Sequence, residues 1–282
     1  AVFDMDTYSE MYQVDMHKQQ ESALMSFVLF NIGNIPVHGY GLMIGIGIIA
    51  AFIVLELRAK QLKINSNIAW IAGIIGGITG FIGGKLLYMI VEWEDTVRDP
   101  LGALLHSEGF VVYGGLITGV ICAFIYVKAK KVSFFEYFDL IIPEVALAQG
   151  FGRIGCFFAG CCYGREAHGG EWGVVFPSTG LAPSGVALVP TQIYSAIGDF
   201  AIFFILIAIA GYNKKSGKGF KGLIAGLYII FYSAGRFAVE FLRDDPRTLS
   251  TSQFIAIFTA ALGVAILIVQ NRRDKKAVEE TI

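Results

Sequence analysis

Charged side chains are scarce in this sequence. Asp, Glu, Lys and Arg make up 16% of its 282 residues against 55% hydrophobic residues, and the mean hydropathy of +0.62 lies outside the range of soluble globular proteins. A basic excess is missing as well. The formal net charge of -1 supplies no field for a polyanion, so no nucleic-acid partner is expected. Cysteine is sparse: four in this length exclude a disulfide scaffold, although three of them crowd into residues 156–162. No internal repeat is visible, which removes support for an inverted-repeat transporter. What remains is a membrane protein.

Residues 1–30 (AVFDMDTYSEMYQVDMHKQQESALMSFVLF) lack the basic flank and clean apolar core of a secretory signal. They read as an extension, a tag or upstream addition, with Met25 as an alternative start. A single membrane domain is expected over 31–272, followed by a cytoplasmic tail at 273–282.

A spanning helix needs about 20 predominantly apolar residues, and seven such windows occur, near 36–57, 67–91, 110–127, 137–161, 190–211, 220–243 and 253–270. The expected fold is therefore an all-α polytopic membrane protein with seven transmembrane helices. Between the windows, RAKQLK (58–63), KAKK (128–131), NKKSGKGFK (213–221) and NRRDKK (271–276) hold 14 of the 22 Lys and Arg, at every second connection. Cytoplasmic loops carry the Lys and Arg excess, so the N-terminus is expected outside and the C-terminus in the cytoplasm. The glycines of GLMIG (41–45) and GGITGFIGG (76–84) have the spacing that lets helix backbones approach. The polar, glycine-rich segment 162–189 is the one long loop on the outer side.

That orientation gives each unusual polar residue a depth. Gln149 and Arg153 fall in the outer half of the fourth span, Arg236, Glu240 and Arg243 in the outer third of the sixth, and Lys85 and Tyr88 at the outer end of the second. His38, Tyr40, Tyr113, Gln192 and Tyr194 open the inward-running spans on that same side. A cation at membrane depth costs about 2.5–3.5 kcal/mol, so several together imply an anion or a wet cavity. Arg236, Glu240 and Arg243 stand at i, i+4 and i+7, one helix face, where Glu240 neutralises one arginine only. An anionic lipid headgroup is the natural counter-ion, because guanidinium offers phosphate a planar two-pronged donor set. Snorkelling to the interface is the bland alternative for each charge, above all for Arg243 and Lys85.

The cysteines divide. Cys122 reads as a small apolar core residue. Cys156 shares a helix face with Arg153, whereas Gly160, Cys161 and Cys162 mark the helix end. Packing or a disulfide from Cys156 to Cys161 or Cys162 ranks above a catalytic thiol. Three thiols with no His in the same run make a poor zinc site, and no metal is expected.

At GFGRIGCFFAGCCYGR (150–165) the chain resembles the prolipoprotein diacylglyceryl transferase family, whose signature runs G-R-x-G-N-F-x-N-G-E-x-x-G. HGYGLM (38–43), GGKLLY (83–88), YGGLITG (113–119), PTQIY (190–194) and GRFAVEFLRDD (235–245) follow in the family's order, so the likeness covers about residues 27–270. The family has seven spans, N-terminus out and C-terminus in. It moves the diacylglyceryl group of phosphatidylglycerol onto the lipobox cysteine thiol of a prolipoprotein, forming a thioether and releasing glycerol phosphate. The resemblance implies catalytic roles for Arg153, Arg236 and Tyr113, and substrate contacts for Tyr40, Lys85, Gly114, Gly115, Gly164, Gln192, Glu240 and Arg243. It implies phosphatidylglycerol, prolipoprotein signal peptides and the bilayer as partners, no cofactor, and a place in the bacterial cytoplasmic (inner) membrane.

Several positions depart from the family pattern. Its thiol-base histidine is Tyr113 here, its signature Asn residues are Cys156 and Ala159, its signature Glu is Cys161, and Lys85 stands for a usual Arg. The phosphate-holding positions persist and the proton-handling positions change. His106 and His38 are the other candidate bases, and an arginine cluster can itself favour a thiolate. Two rival readings follow: a paralogue that binds anionic lipid without the transfer, and a membrane thiol protein that works through Cys156, Cys161 and Cys162.

Overall fold

The structure, a computed structural model, describes residues 28–105, 110–177, 181–217, 219–243 and 249–280. Seven helices are long and apolar enough to cross a membrane: α1 (Gly39–Leu62), α2 (Ser66–Val91), α5 (Val112–Ala129), α6 (Phe134–Ala159), α7 (Thr191–Ser216), α8 (Leu223–Glu240) and α9 (Thr251–Glu279). Two short helices, α3 (Trp93–Arg98) and α4 (Pro100–Leu105), fill the connection between α2 and α5. The expected all-α membrane architecture is thus present. Residues 1–27, most of the expected extension, lie outside the described residues, as does His106.

Two antiparallel hairpins were not anticipated. Strands β1 (Val28–Ile32) and β2 (Ile35–His38) pair across the loop Gly33-Asn34, with Gly33 at φ +62°, a left-handed conformation that costs glycine little. The first span consequently begins at Gly39 rather than 36, after Pro36 has taken its place in a strand. The second hairpin, β3 (Val174–Val175) with β4 (Ala187–Leu188), lies within the long polar loop.

The chain divides into two compact units, one drawn from Ala1–Ala51 and Ile142–Ile282 and the other from Phe52–Ile141, so it passes between them inside α1 and inside α6. In the Phe52–Ile141 unit, α2 and α5 meet backbone to backbone. A Cβ on Gly115 would stand 2.7 Å from the Gly80 carbonyl oxygen, and one on Gly119 would stand 2.7 Å from that of Gly76. Such approach is available only to glycine and substitutes for the hydrophobic drive that lipid removes. The Thr118 hydroxyl donates to Gly114 O at 2.7 Å and lies 3.1 Å from Thr79 O, tying the pair further. At the other end of this unit Leu55, Ala59, Ala69, Ala72, Val127, Tyr137 and Leu140 form a buried core, with Phe52 stacked on Trp70 at 4.4 Å. Arg58 is buried beside them and donates to Leu140 O at 2.7 Å, which satisfies a cation that would otherwise be costly there.

The other unit uses glycine more selectively than its sequence suggests. A Cβ on Gly41 or Gly45 would meet nothing within 4 Å, so the spacing in GLMIG does not mark a helix contact; Gly47 does, with Phe151 Cβ 2.9 Å away. Helices α8 and α9 meet at Gly226 and Gly263, where a Cβ on Gly263 would stand 3.0 Å from Gly226 O, and at Ser233 and Thr259, whose hydroxyls lie 2.7 Å apart.

Candidate functional site

Helix α6 ends in a way that gathers sulfur. Gly160 adopts φ +65°, its N–H donates to Phe157 O at 3.1 Å, and the Cys161 N–H reaches back to Cys156 O at 3.1 Å. These are the two bonds of a Schellman turn, a helix terminus that brings the side chain after the glycine against the one five residues earlier. Here both are cysteines. The next residue, Cys162, sits at φ +62°, a strained conformation for a residue with a Cβ unless its surroundings enforce it. They do: Cys162 O accepts from Thr191 Oγ1 at 2.7 Å and from Arg243 Nη2 at 3.3 Å, and Cys161 O accepts from Gln192 Nε2 at 2.7 Å. The thiol sulfurs of Cys156, Cys161 and Cys162 all lie within 4.8 Å of one another, and all four cysteines are free thiols. Hydrogen bonds from the Cys156 and Cys161 thiols, then the Arg153 and Arg243 guanidiniums, hold Cys162 below the ordinary thiol range; hydrogen bonding with Cys156 and Cys162 pushes Cys161 up.

Arg153 stands one turn before Cys156 on α6, partly buried, with Tyr232, Cys156, Asp199 and Cys162 as its electrostatic neighbours. It makes no ion pair among the described residues. Asp199, on α7, is 5% exposed, and its Oδ2 has no hydrogen-bond partner among the described residues. An acid within a span is a functional signal by default. Asp199 is the one Asp or Glu between 190 and 211, which is the signal sequence reasoning passed over.

The second arginine group is built differently. Arg236 Nη1 lies 2.6 Å from Glu240 Oε2, and Nη2 donates to Ser252 Oγ at 2.8 Å. Helix α8 stops at Glu240, so Arg243 is not on the expected i+7 helical face. A turn closed by the Arg243 N–H on Glu240 O at 3.1 Å brings its Nε to 3.9 Å from the same Glu240 Oε2. One buried carboxylate thus serves both guanidiniums at unequal distances, leaving one positive charge in excess.

Tyr40 opens α1 beside this cluster. A Cβ on Gly155 would stand 3.2 Å from Tyr40 Cδ2, so the glycine makes room for the ring, and the three thiols and Arg153 are the electrostatic neighbours of the phenol. Gln192 is 1% exposed; it does not line an opening but holds the Cys161 carbonyl, with its own Oε1 unpaired among the described residues. Gly164 is enclosed: its N–H donates to Val189 O at 2.9 Å, and a Cβ would crowd Leu242 O and Thr191 Cγ2. The loop beyond it has a core of Phe176, Ala182 and Leu188 packed with Phe157 and Tyr163. Arg165 grips Glu171 through two bonds of 2.7 Å. That pairing, with the His168 N–H, holds the Glu171 carboxyl down at about 2.

The remaining expected site residues belong to the Phe52–Ile141 unit. Lys85 is buried, with its ammonium 5.4 Å from the Tyr88 ring centre. Tyr113 is 44% exposed in the first turn of α5. Gly114 and Gly115 are buried where α5 meets α2, a use of their smallness that is structural. His38 ends β2 with its Nδ1 buried and unpaired among the described residues.

A sequence profile described as prolipoprotein diacylglyceryl transferase matches residues 27–269, and the chain belongs to that family. It is 44% identical over 255 residues to the phosphatidylglycerol–prolipoprotein diacylglyceryl transferase of Clostridium tetani, covering 89% of this chain and 100% of the relative. The relative of that name numbered 2 in Clostridium perfringens is 42% identical over 91% of this chain and 100% of its own length. The one numbered 1 in the same organism is 32% identical over 89% of this chain and 97% of its own. With its seven apolar helices, the chain is a multi-pass transferase of the bacterial cytoplasmic membrane.

Proposed function

We propose that this protein transfers the diacylglyceryl group of phosphatidylglycerol to the cysteine thiol of a prolipoprotein, forming a thioether and releasing glycerol phosphate. The observation that carries the reading is the Arg153 guanidinium, set on a membrane helix with no ion-pair partner among the described residues. In the transfer a thiolate attacks an sp³ glyceryl carbon, the S–C bond forms, the C–O bond breaks, and the phosphate leaves with the electron pair. Fixed cations stabilise that developing charge more in the transition state than in the bound lipid. Arg153 and Arg236 hold the phosphate. Glu240 and Ser252 orient Arg236, Arg243 shares Glu240, and Tyr40 lies beside Arg153 where the glyceryl group approaches. Tyr113 matches the position where the family has its thiol base, and Lys85, Gly114 and Gly115 match family substrate positions. The reaction takes place on the outer side of the membrane, with the N-terminus outside.

The test is to incubate purified protein with phosphatidylglycerol vesicles and a lipobox peptide and weigh the peptide. A gain of one diacylglyceryl group supports the reading, and no gain, beside an active relative, sinks it. Arg153→Ala is expected to lower the rate by about 10²–10³-fold, the effect of removing one preorganised charge donor.

A further inference from the structure

We infer that Cys156, Cys161 and Cys162 form a three-thiolate site for a zinc-group cation whose fourth position takes the thiol of the acceptor cysteine. The geometry comes first. With Zn–S near 2.3 Å, three sulfurs around one ion stand about 4 Å apart; here they already lie within 4.8 Å of one another. The arrangement is fixed by backbone rather than by chance rotamers. The turn at Gly160 sets Cys161 against Cys156, and Thr191, Gln192 and Arg243 anchor the carbonyls of Cys161 and Cys162. Such anchoring from outside the ligand set is what metal sites use to orient their ligands.

The chemistry selects the ion and the open position. Thiolates favour zinc and its soft neighbours over magnesium or calcium. Along the sequence three thiols with no histidine read as a poor zinc site, because structural zinc fills all four positions; gathered in the structure, three protein ligands with a vacancy are the pattern of catalytic zinc. Cys162 is exposed, which leaves the group approachable. A divalent ion with three thiolates carries one negative charge and, with a fourth, two. Arg153 and Arg243, both electrostatic neighbours of Cys162, lower the cost of that charge.

This role rests on the transferase reading and answers a need in it. The acceptor thiol must be ionised to attack, and the family's histidine position holds Tyr113, a phenol with an ordinary pKa of about 10. A thiol bound to zinc loses its proton outright, here to water. The zinc-held sulfur then gives its electron pair to the glyceryl carbon as the C–O bond to phosphate breaks. The thioether product, a weak ligand, departs from the metal.

The experiment uses the full-length protein in micelles, reduced and stripped with a chelator, titrated with Cd(II) while the sulfur-to-cadmium absorption band is followed. The expected result is one Cd(II) per chain with the intensity of three thiolates, and the same band on adding Cd(II) to zinc-loaded protein as the softer ion displaces Zn(II). Cys122→Ser leaves it unchanged. Cys161→Ser weakens binding by at least about tenfold, and Cys162→Ser gives the same readout without altering the Schellman turn pair. Adding lipobox peptide raises the band by about one third as a fourth thiolate joins, and the Ser analogue of the peptide does not. Binding below one equivalent, binding indifferent to these substitutions, or no response to the peptide thiol overturns the inference. Chelated protein that transfers at an undiminished rate also overturns it while leaving the transferase reading intact. Loaded protein that ligates the peptide thiol yet adds no mass defeats the transferase reading and leaves the metal site standing.

Discussion

Asp199 sits at 5% exposure with one oxygen unpaired among the described residues and Arg153 among its electrostatic neighbours. An anion placed there competes with phosphate for the same guanidinium. Asp199→Asn keeps the shape and removes the charge, and an interaction of about 1 kcal/mol corresponds to several-fold tighter binding of phosphatidylglycerol, measured by lipid titration of the purified protein. Weaker binding would mean that the carboxylate positions Arg153 instead. Glu240→Gln acts in the opposite sense. Two guanidiniums lose their shared carboxylate, so the melting temperature falls and transfer drops at least tenfold, about 1.4 kcal/mol of transition-state stabilisation. Glu240→Asp is expected to be intermediate. At this scale the sequence was legible wherever a residue's own chemistry was out of place: Arg153 and Glu240 stand out in apolar windows, and Asp199 stood out as plainly. The meeting of the thiols was half legible: Gly160 marks the helix end and a link from Cys156 to Cys161 or Cys162 is among the sequence readings, but the gathering of all three depends on the sign of the backbone angles at Gly160 and Cys162 rather than on any side chain.

Helices and turns set which of those chemistries come together. GLMIG and GGITGFIGG look alike as strings, yet glycines 76, 80, 115 and 119 stand against carbonyl oxygens of the partner helix, while Gly41 and Gly45 face open space. Spacing reports that a close approach is possible; only the packed helices decide which face uses it. Gly119→Val is therefore expected to destabilise by about 1–3 kcal/mol through overpacking, whereas Gly45→Ala should stay within about 0.5 kcal/mol, both read from thermal denaturation in detergent. The long loop shows a further element-scale effect. Its Arg165–Glu171 pair has a folded-state carboxyl pKa of about 2, below the ordinary value of about 4.3. The pairing is present above that ordinary value and is lost as pH falls through about 2. Hydrogen exchange around Glu171 should stay protected from neutral pH to about pH 4 and give way in stronger acid, and Glu171→Gln should remove the pH dependence. The hairpin at Val28–His38 carried a visible signal in Gly33-Asn34 between apolar residues. It was obscured by a hydrophobic run that reads equally well as the beginning of a helix.

The whole molecule was the most legible level, because a bilayer constrains length and polarity more tightly than water does. All seven windows became helices, displaced at their ends by a few residues where Pro36, Gly160 and the turn after Glu240 decide the boundary. The alternation of basic segments adds an orientation, which is testable on intact cells. In a variant whose four native cysteines are replaced by Ser, a cysteine introduced at Lys131 or Lys215 should resist an impermeant thiol reagent until the membrane is opened, whereas one at Glu171 should react at once; the reverse pattern would invert the assignment. One consequence concerns the order of assembly. The carbonyls that fix the thiol turn are held from Thr191, Gln192 and Arg243, between 29 and 81 residues downstream of their acceptors. A nascent chain halted before α8 emerges would therefore hold its three sulfhydryls by the Gly160 turn and the two α7 anchors alone, and the Arg243 clamp on Cys162 closes only after α8 has entered the membrane.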